Sequence, residues 1–261
     1  MTALLRPFTV GELLDGAFSL YRRNFISFFA AGLMPNVPLI LLWLALPVFA
    51  GSGGQELVDS TTVLSLPYSS LSGVLIWAAL VHATMRSYEG AQVSASEALV
   101  AGFRKLPASI VATIVALFLI TLGLILLIIP GLIAAAMFFA IIQVIVVEKR
   151  GPFAALDRSR HLSKGARLRI LGVIMLALFI AALPVMAFSF IAGVAAAVGT
   201  AAGADATLSV GWNAIVQAGS IVLTALTTPY SVAALTLLYI DRRARTEAPD
   251  LEQAAARLSE V

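Results

Sequence analysis

Two imidazoles, His82 and His161, are the side chains here whose ordinary titration falls nearest neutral pH. They are far apart in sequence. His82 lies near the end of an apolar stretch, where it would have to act as a proton shuttle; a packed or interfacial histidine is the plainer explanation. His161 stands with Arg158, Arg160 and Lys164. That set suits a phosphate or a lipid headgroup. A solvated basic loop accounts for the same residues more simply.

Catalytic signatures are missing. There is no cysteine, which excludes disulfides, thiolate catalysis and cysteine-ligated metals. The sequence contains no Gly-x-Ser-x-Gly elbow, no Walker A loop, no dinucleotide-type glycine loop and no His-Glu-x-x-His. Hydrolysis of a phosphodiester would need clustered carboxylates or histidines. We therefore expect no enzymatic activity, no cofactor, no metal and no nucleic-acid partner.

A third set is polar without being ionisable. Asn36, Gln143 and Gln217 lie inside long apolar stretches. Amides in such places face protein or a wet cavity and can mark a solute path. They also serve as ordinary hydrogen bonds between helices. Thr227-Thr228-Pro229-Tyr230 has the composition of a local helix opening, although a single proline kink is common in membrane helices. Gly199-x-x-x-Gly203 has the spacing of close helix contact, which is compatible with a homo-oligomer.

The elements that must hold these residues are apolar. Of 261 residues, 60% are hydrophobic and 12% charged, too little polar surface for a water-facing exterior. The excess falls in uncharged runs at Asn24–Gln55, Ser60–Met85, Pro107–Val147, Ile170–Ala204 and Ala206–Ile240. Each exceeds the ~18 residues that suffice to suggest a span. Pro107–Val147, with 41 residues, would be about 60 Å as one helix, roughly twice the hydrocarbon thickness. Ile129-Pro130-Gly131-Leu132 sits near its middle and predicts a turn there. Six spans result. Pro35, Pro38, Pro184 and Pro229 fall within other spans. The first apolar stretch is too long for a secretory h-region of about 7–15 residues, so it is expected to be retained.

Charge orients the chain. Arg6, Arg22 and Arg23 precede the first span, Arg86, Arg104 and Lys105 follow the second, and seven cations from Lys149 to Arg169 follow the fourth. Arg242, Arg243, Arg245 and Arg257 follow the sixth, which completes the 17 lysines and arginines. The alternate loops carry Glu56, Asp59 and Asp205. The positive-inside rule then places both ends in the cytoplasm.

Segments before the first, third and fifth spans resemble one another. Thr9-Val-Gly-Glu12 and Ser94-Ala-Ser-Glu97 both read as capping boxes. Leu13, Leu14, Ala17, Phe18 and Tyr21 share a helical face after the first. Ala98, Leu99, Gly102, Phe103 and Leu106 do so after the second. The third copy opens Gly151-Pro152, and its stripe fails at Ser159, Arg160 and Ser163. The expectation is an all-α integral membrane bundle of six transmembrane helices as three hairpins, each preceded by a cytoplasmic amphipathic helix. Repeat units would cover about 9–85, 94–147 and 151–240 of a membrane domain at 1–245, with a cytoplasmic tail at 246–261. The amphipathic segments would either lie on lipid, with Arg22, Arg23, Arg104 and Lys105 near anionic headgroups, or pack on the bundle as elbows.

Three stretches carry a family resemblance: Phe8-Thr-Val-Gly-Glu-Leu-Leu-Asp-Gly-Ala-Phe-Ser-Leu-Tyr-Arg-Arg-Asn-Phe25, the segment from Val147 to Gly165, and Thr236-Leu-Leu-Tyr-Ile-Asp-Arg-Arg243. Together they resemble uncharacterised bacterial membrane proteins and the membrane domain of some glycerophosphoryl diester phosphodiesterases. Arg160 departs from the aromatic residue common in that family. No catalytic domain is expected after the sixth span, so the resemblance implies membrane architecture in a bacterial inner or plasma membrane, without the hydrolase activity. The leading expectation is a non-enzymatic membrane protein that contacts anionic lipid or a partner. A small-solute or lipid transporter is the alternative, and a polar cavity at mid-depth would favour it.

Overall fold

The computed structural model describes residues 9–49, 54–203 and 206–259. Among them the chain is helical with short connections and has no strand. A backbone in lipid must satisfy its own polar groups, and a helix does so locally. In order, the helices are α1 (Val10–Arg23), α2 (Phe25–Leu33), α3 (Val37–Phe49), α4 (Gly54–Tyr88), α5 (Ala95–Leu126), α6 (Ile128–Met137), α7 (Ile141–Val147), α8 (Pro152–Ser163), α9 (Arg167–Ala201) and α10 (Ala206–Ser259). A 3₁₀ turn, Met34–Asn36, joins α2 to α3.

Six segments are long and apolar enough to cross a bilayer: Phe25–Phe49, Glu56–Tyr88, Ala95–Leu126, Ile128–Val147, Arg167–Ala201 and Leu208–Glu247. In the third and fifth, only 17% of the apolar window is buried within the protein. Phe118, Ile125 and Phe190 point outward from them. Apolar surface on that scale suits lipid rather than water, and the chain is a multi-pass membrane protein.

α10 is the central helix. It packs on α9, α3, α1, α4 and α2. Every residue from Ser231 to Tyr239 is buried, as expected of a helix enclosed on all sides. α1 lies against it through Leu13, Ala17 and Tyr21, and the Tyr21 hydroxyl donates to Leu226 O at 2.7 Å. Phe18, on the other edge of the same stripe, is exposed.

Two local expectations are revised. The turn in the long apolar run falls at Leu127, whose backbone is extended (φ −162°, ψ 145°), and Pro130 sits in the first turn of the next helix. What lets α5 and α6 close so tightly is two glycines. A Cβ on Gly123 would lie 2.9 Å from Gly131 Cα, and one on Gly131 would lie 2.4 Å from Leu124 Cγ. Second, the segment after Ser94 is no separate helix: α5 runs unbroken through Pro107. α9 and α10 continue through Pro184 and Pro229, as membrane helices commonly do at a single proline.

The capping boxes also differ. At Thr9 both halves form: Thr9 N–H donates to Glu12 Oε2 at 2.7 Å, and Glu12 N–H to Thr9 Oγ1 at 3.2 Å. At Ser94 the hydroxyl accepts from Glu97 N–H at 3.2 Å. The Glu97 carboxylate instead lies 3.9 Å from both His82 Nε2 and Arg86 Nε.

Candidate functional site

Span one is interrupted where its polar residue sits. Pro35 has no N–H, so the helix cannot continue its regular bonding there, and the chain tightens into the 3₁₀ turn that ends at Asn36. Asn36 is held at both ends of its amide. Nδ2 donates to Gly32 O at 3.2 Å, and Oδ1 accepts from Ser72 Oγ at 2.9 Å. The Tyr68 hydroxyl donates to Pro35 O from the same face of α4.

Beside this turn is a cavity of about 430 Å³ between spans one, two and six, within the ~300–1,000 Å³ of small-molecule pockets. Its polar lining is Asn36, Ser69, Ser72, Gln217, Ser220, Thr224 and Thr228. Ser69, Ser72, Gly73 and Ile76 form one helical face of α4. Gln217, Ser220, Ile221, Thr224 and Thr228 form one face of α10. Asn36 and Ser72 sit near the centres of their spans, and Thr224 and Thr228 flank the centre of theirs.

Among the described residues no Asp, Glu, Lys or Arg lines the cavity. Gln217 has no hydrogen-bond partner among the described residues, and its amide is only partly buried. One backbone acceptor is close by. Pro229 cannot donate to Ala225 O, and Gly32 packs against that carbonyl, with 3.0 Å to the position of an added Cβ. The site offers hydroxyls and amides in neutral surroundings. It contains no general acid or base.

Gln143 is elsewhere. It is fully buried in α7, which packs on α4, α5 and α8, and neither amide atom finds a partner among the described residues. Of the three candidate amides, Asn36 and Gln217 meet at one cavity, and Gln143 does not line it.

The basic residues separate as well. Arg23 donates to Ser87 O at 2.6 Å. Arg22, Arg104, Arg160 and His161 are exposed, and Lys105 is half-buried. Arg158 turns inward: its Nε lies 3.1 and 3.2 Å from the Glu148 oxygens, and its Nη2 reaches Glu247. Arg150 Nε lies 2.8 Å from Glu148, and the Tyr239 hydroxyl donates to it at 2.9 Å. Burial pushes the Glu148 carboxyl up. The hydrogen bonds from Arg158 and Tyr239, with the charges of Arg158 and Arg150, outweigh this and hold it below the usual carboxylate range.

Lys164 alone among the eight basic candidates lines a second concavity, a groove of about 790 Å³ shared with Arg167, Arg169, Arg242 and Arg245. These partners come from the start of α9 and from α10 just beyond its fully buried stretch. Among the described residues no group of three or more His, Asp or Glu is placed to hold a metal ion.

A family model described as a domain of unknown function (DUF7847) matches residues 27–239. The chain belongs to this DUF7847 family. No curated protein and no solved structure matches it. The family match includes every residue that lines the polar cavity, whereas Arg242 and Arg245 lie just beyond it. Neither finding links the chain to the glycerophosphoryl diester phosphodiesterases, and the description of DUF7847 carries no activity.

Proposed function

We propose that this DUF7847 protein is a non-enzymatic membrane protein that binds a small uncharged polar solute at mid-depth and passes it across the bilayer. The observation that carries the reading is the cavity in which Asn36 and Gln217 meet beside a broken helix. Interrupted helices at mid-depth build solute sites in transporters. The lining favours a neutral ligand. An ion there would lose its water without an opposite charge to replace it, whereas hydroxyls and amides can exchange hydrogen bonds with a polyol or a small amide. The basic end would face the cytoplasm of a bacterial inner membrane, as the positive-inside rule favours. The resemblance to membrane domains of phosphodiesterases supports a membrane role and adds no hydrolysis.

The test is reconstitution into liposomes with stopped-flow light scattering. Glycerol and urea are the neutral probes; potassium acetate is the charged one. Swelling in the neutral solutes above protein-free vesicles, with acetate at background, is the expected result. Neutral solutes that enter no faster than into empty vesicles would overturn the reading.

A further inference from the structure

The groove between the α8–α9 turn and the Arg242–Arg245 turn of α10 is independent of the solute cavity. We propose that it holds the phosphate of an anionic phospholipid headgroup from the leaflet at the basic end.

Five cationic side chains line it: Lys164, Arg167, Arg169, Arg242 and Arg245. Among the described residues no carboxylate does. The buried Asp241 beside it pairs with Arg169 at 3.1 Å and Arg245 at 3.0 Å.

The cations are brought together by the backbone. Gly165, at φ +75°, lets the chain reverse between α8 and α9. Arg242 then spans the turn, with Nε donating to Leu162 O and Nη2 to Lys164 O, each at 3.0 Å. Those acceptors are neutral carbonyls; Asp241 offsets its charge in part, while Arg245 and Arg169 crowd it with like charge. α9 begins at Arg167 without a side-chain cap from Ala166. The first N–H groups of this 35-residue helix add partial positive charge at the groove. Positive side chains around a helix start form a site for a phosphate.

A lipid is favoured over a soluble anion by Leu168. It lies in the same turn, lines the same groove and is 86% exposed. It stands where the fifth candidate span begins. A leucine there reaches the acyl region while its neighbours reach the headgroup layer.

The experiment is native mass spectrometry of the full chain in detergent, titrated with phosphatidylglycerol, phosphatidylcholine or inorganic phosphate. One phosphatidylglycerol should bind in preference to phosphatidylcholine. The double substitution Lys164→Gln, Arg167→Gln should weaken that binding roughly thirtyfold, while Lys149→Gln, at an exposed cation outside the groove, leaves it unchanged. Leu168→Ser should weaken lipid binding without altering any binding of inorganic phosphate. Equal affinity of the double variant and the parent protein would overturn the proposal. So would inorganic phosphate that displaces the lipid at low millimolar concentration, which would mark a soluble-anion site.

Discussion

The Ser159 hydroxyl, on α8, donates to the Met137 carbonyl at 2.8 Å, across a break in the fourth span. The same oxygen accepts from Ala140 N–H at 3.1 Å. Residues 138–140 leave α6 before α7 begins, and both backbone groups would otherwise be buried without partners. One serine thus repairs a helix interruption from a neighbouring element.

Ser159→Ala should therefore cost more than its size suggests. Removing the hydroxyl leaves a donor and an acceptor unpaired in a fully buried site, about 1–3 kcal/mol for each group that finds no substitute. Thermal unfolding in detergent should show a clear fall in Tm. An unchanged Tm would mean that the break closes into regular helix without the serine.

Glu148 gives the basic end a pH limit. Its carboxyl is held below the usual range once burial is outweighed by the Arg158 and Tyr239 hydrogen bonds and the Arg158 and Arg150 charges. A depressed folded-state pKa stabilises the fold above the unfolded value of 4.5. That contribution is lost as pH falls through the lower folded value. Thermal scans from pH 7 downward should show Tm falling below about pH 4.5, and Glu148→Gln should be less stable at pH 7 but flatter on the acid limb. A parallel acid limb in the variant would count against Glu148 as its source.

Close approach explains the glycine at Gly102. A Cβ there would lie 2.8 Å from Ala79 N and 3.0 Å from Leu75 O, both backbone atoms of α4. Gly102→Ala should force α4 and α5 apart and lower Tm. Gly193 in α9 has nothing within 4 Å of the same position. Gly193→Ala should instead gain roughly 0.5–1 kcal/mol from helix propensity. Equal effects from the two changes would contradict the packing described.

Residue type made the six apolar helices legible, because lipid selects by hydropathy over long windows. It also located Asn36 and Gln217, since amides stand out against leucine and valine. The rest of the cavity was harder to see. Ser69, Ser72, Ser220, Thr224 and Thr228 are ordinary residues in membrane helices, and they become a lining only when two faces meet. Ser159 and Ser163 read as a failed stripe but are fully buried; the need for Ser159 lies in a backbone break twenty residues earlier. Lys164 was visible in the basic loop. Its association with Arg242 and Arg245 depends on contacts that span about eighty positions.

Asn36 and Gln217 should separate structure from transport. Asn36 uses its amide to join Gly32 O and Ser72 Oγ, so Asn36→Leu should lower stability by about 1 kcal/mol. Gln217 makes no such bond among the described residues. Gln217→Leu removes a polar group from the cavity wall and leaves no partner stranded, so Tm should hold or rise. If the cavity carries a neutral solute, that same variant should lose most glycerol and urea permeability in liposomes, because an apolar wall cannot replace the solute's water. A Gln217→Leu protein that keeps both its Tm and its permeability would mean that the cavity is a packing defect, and the transport reading would fall with it.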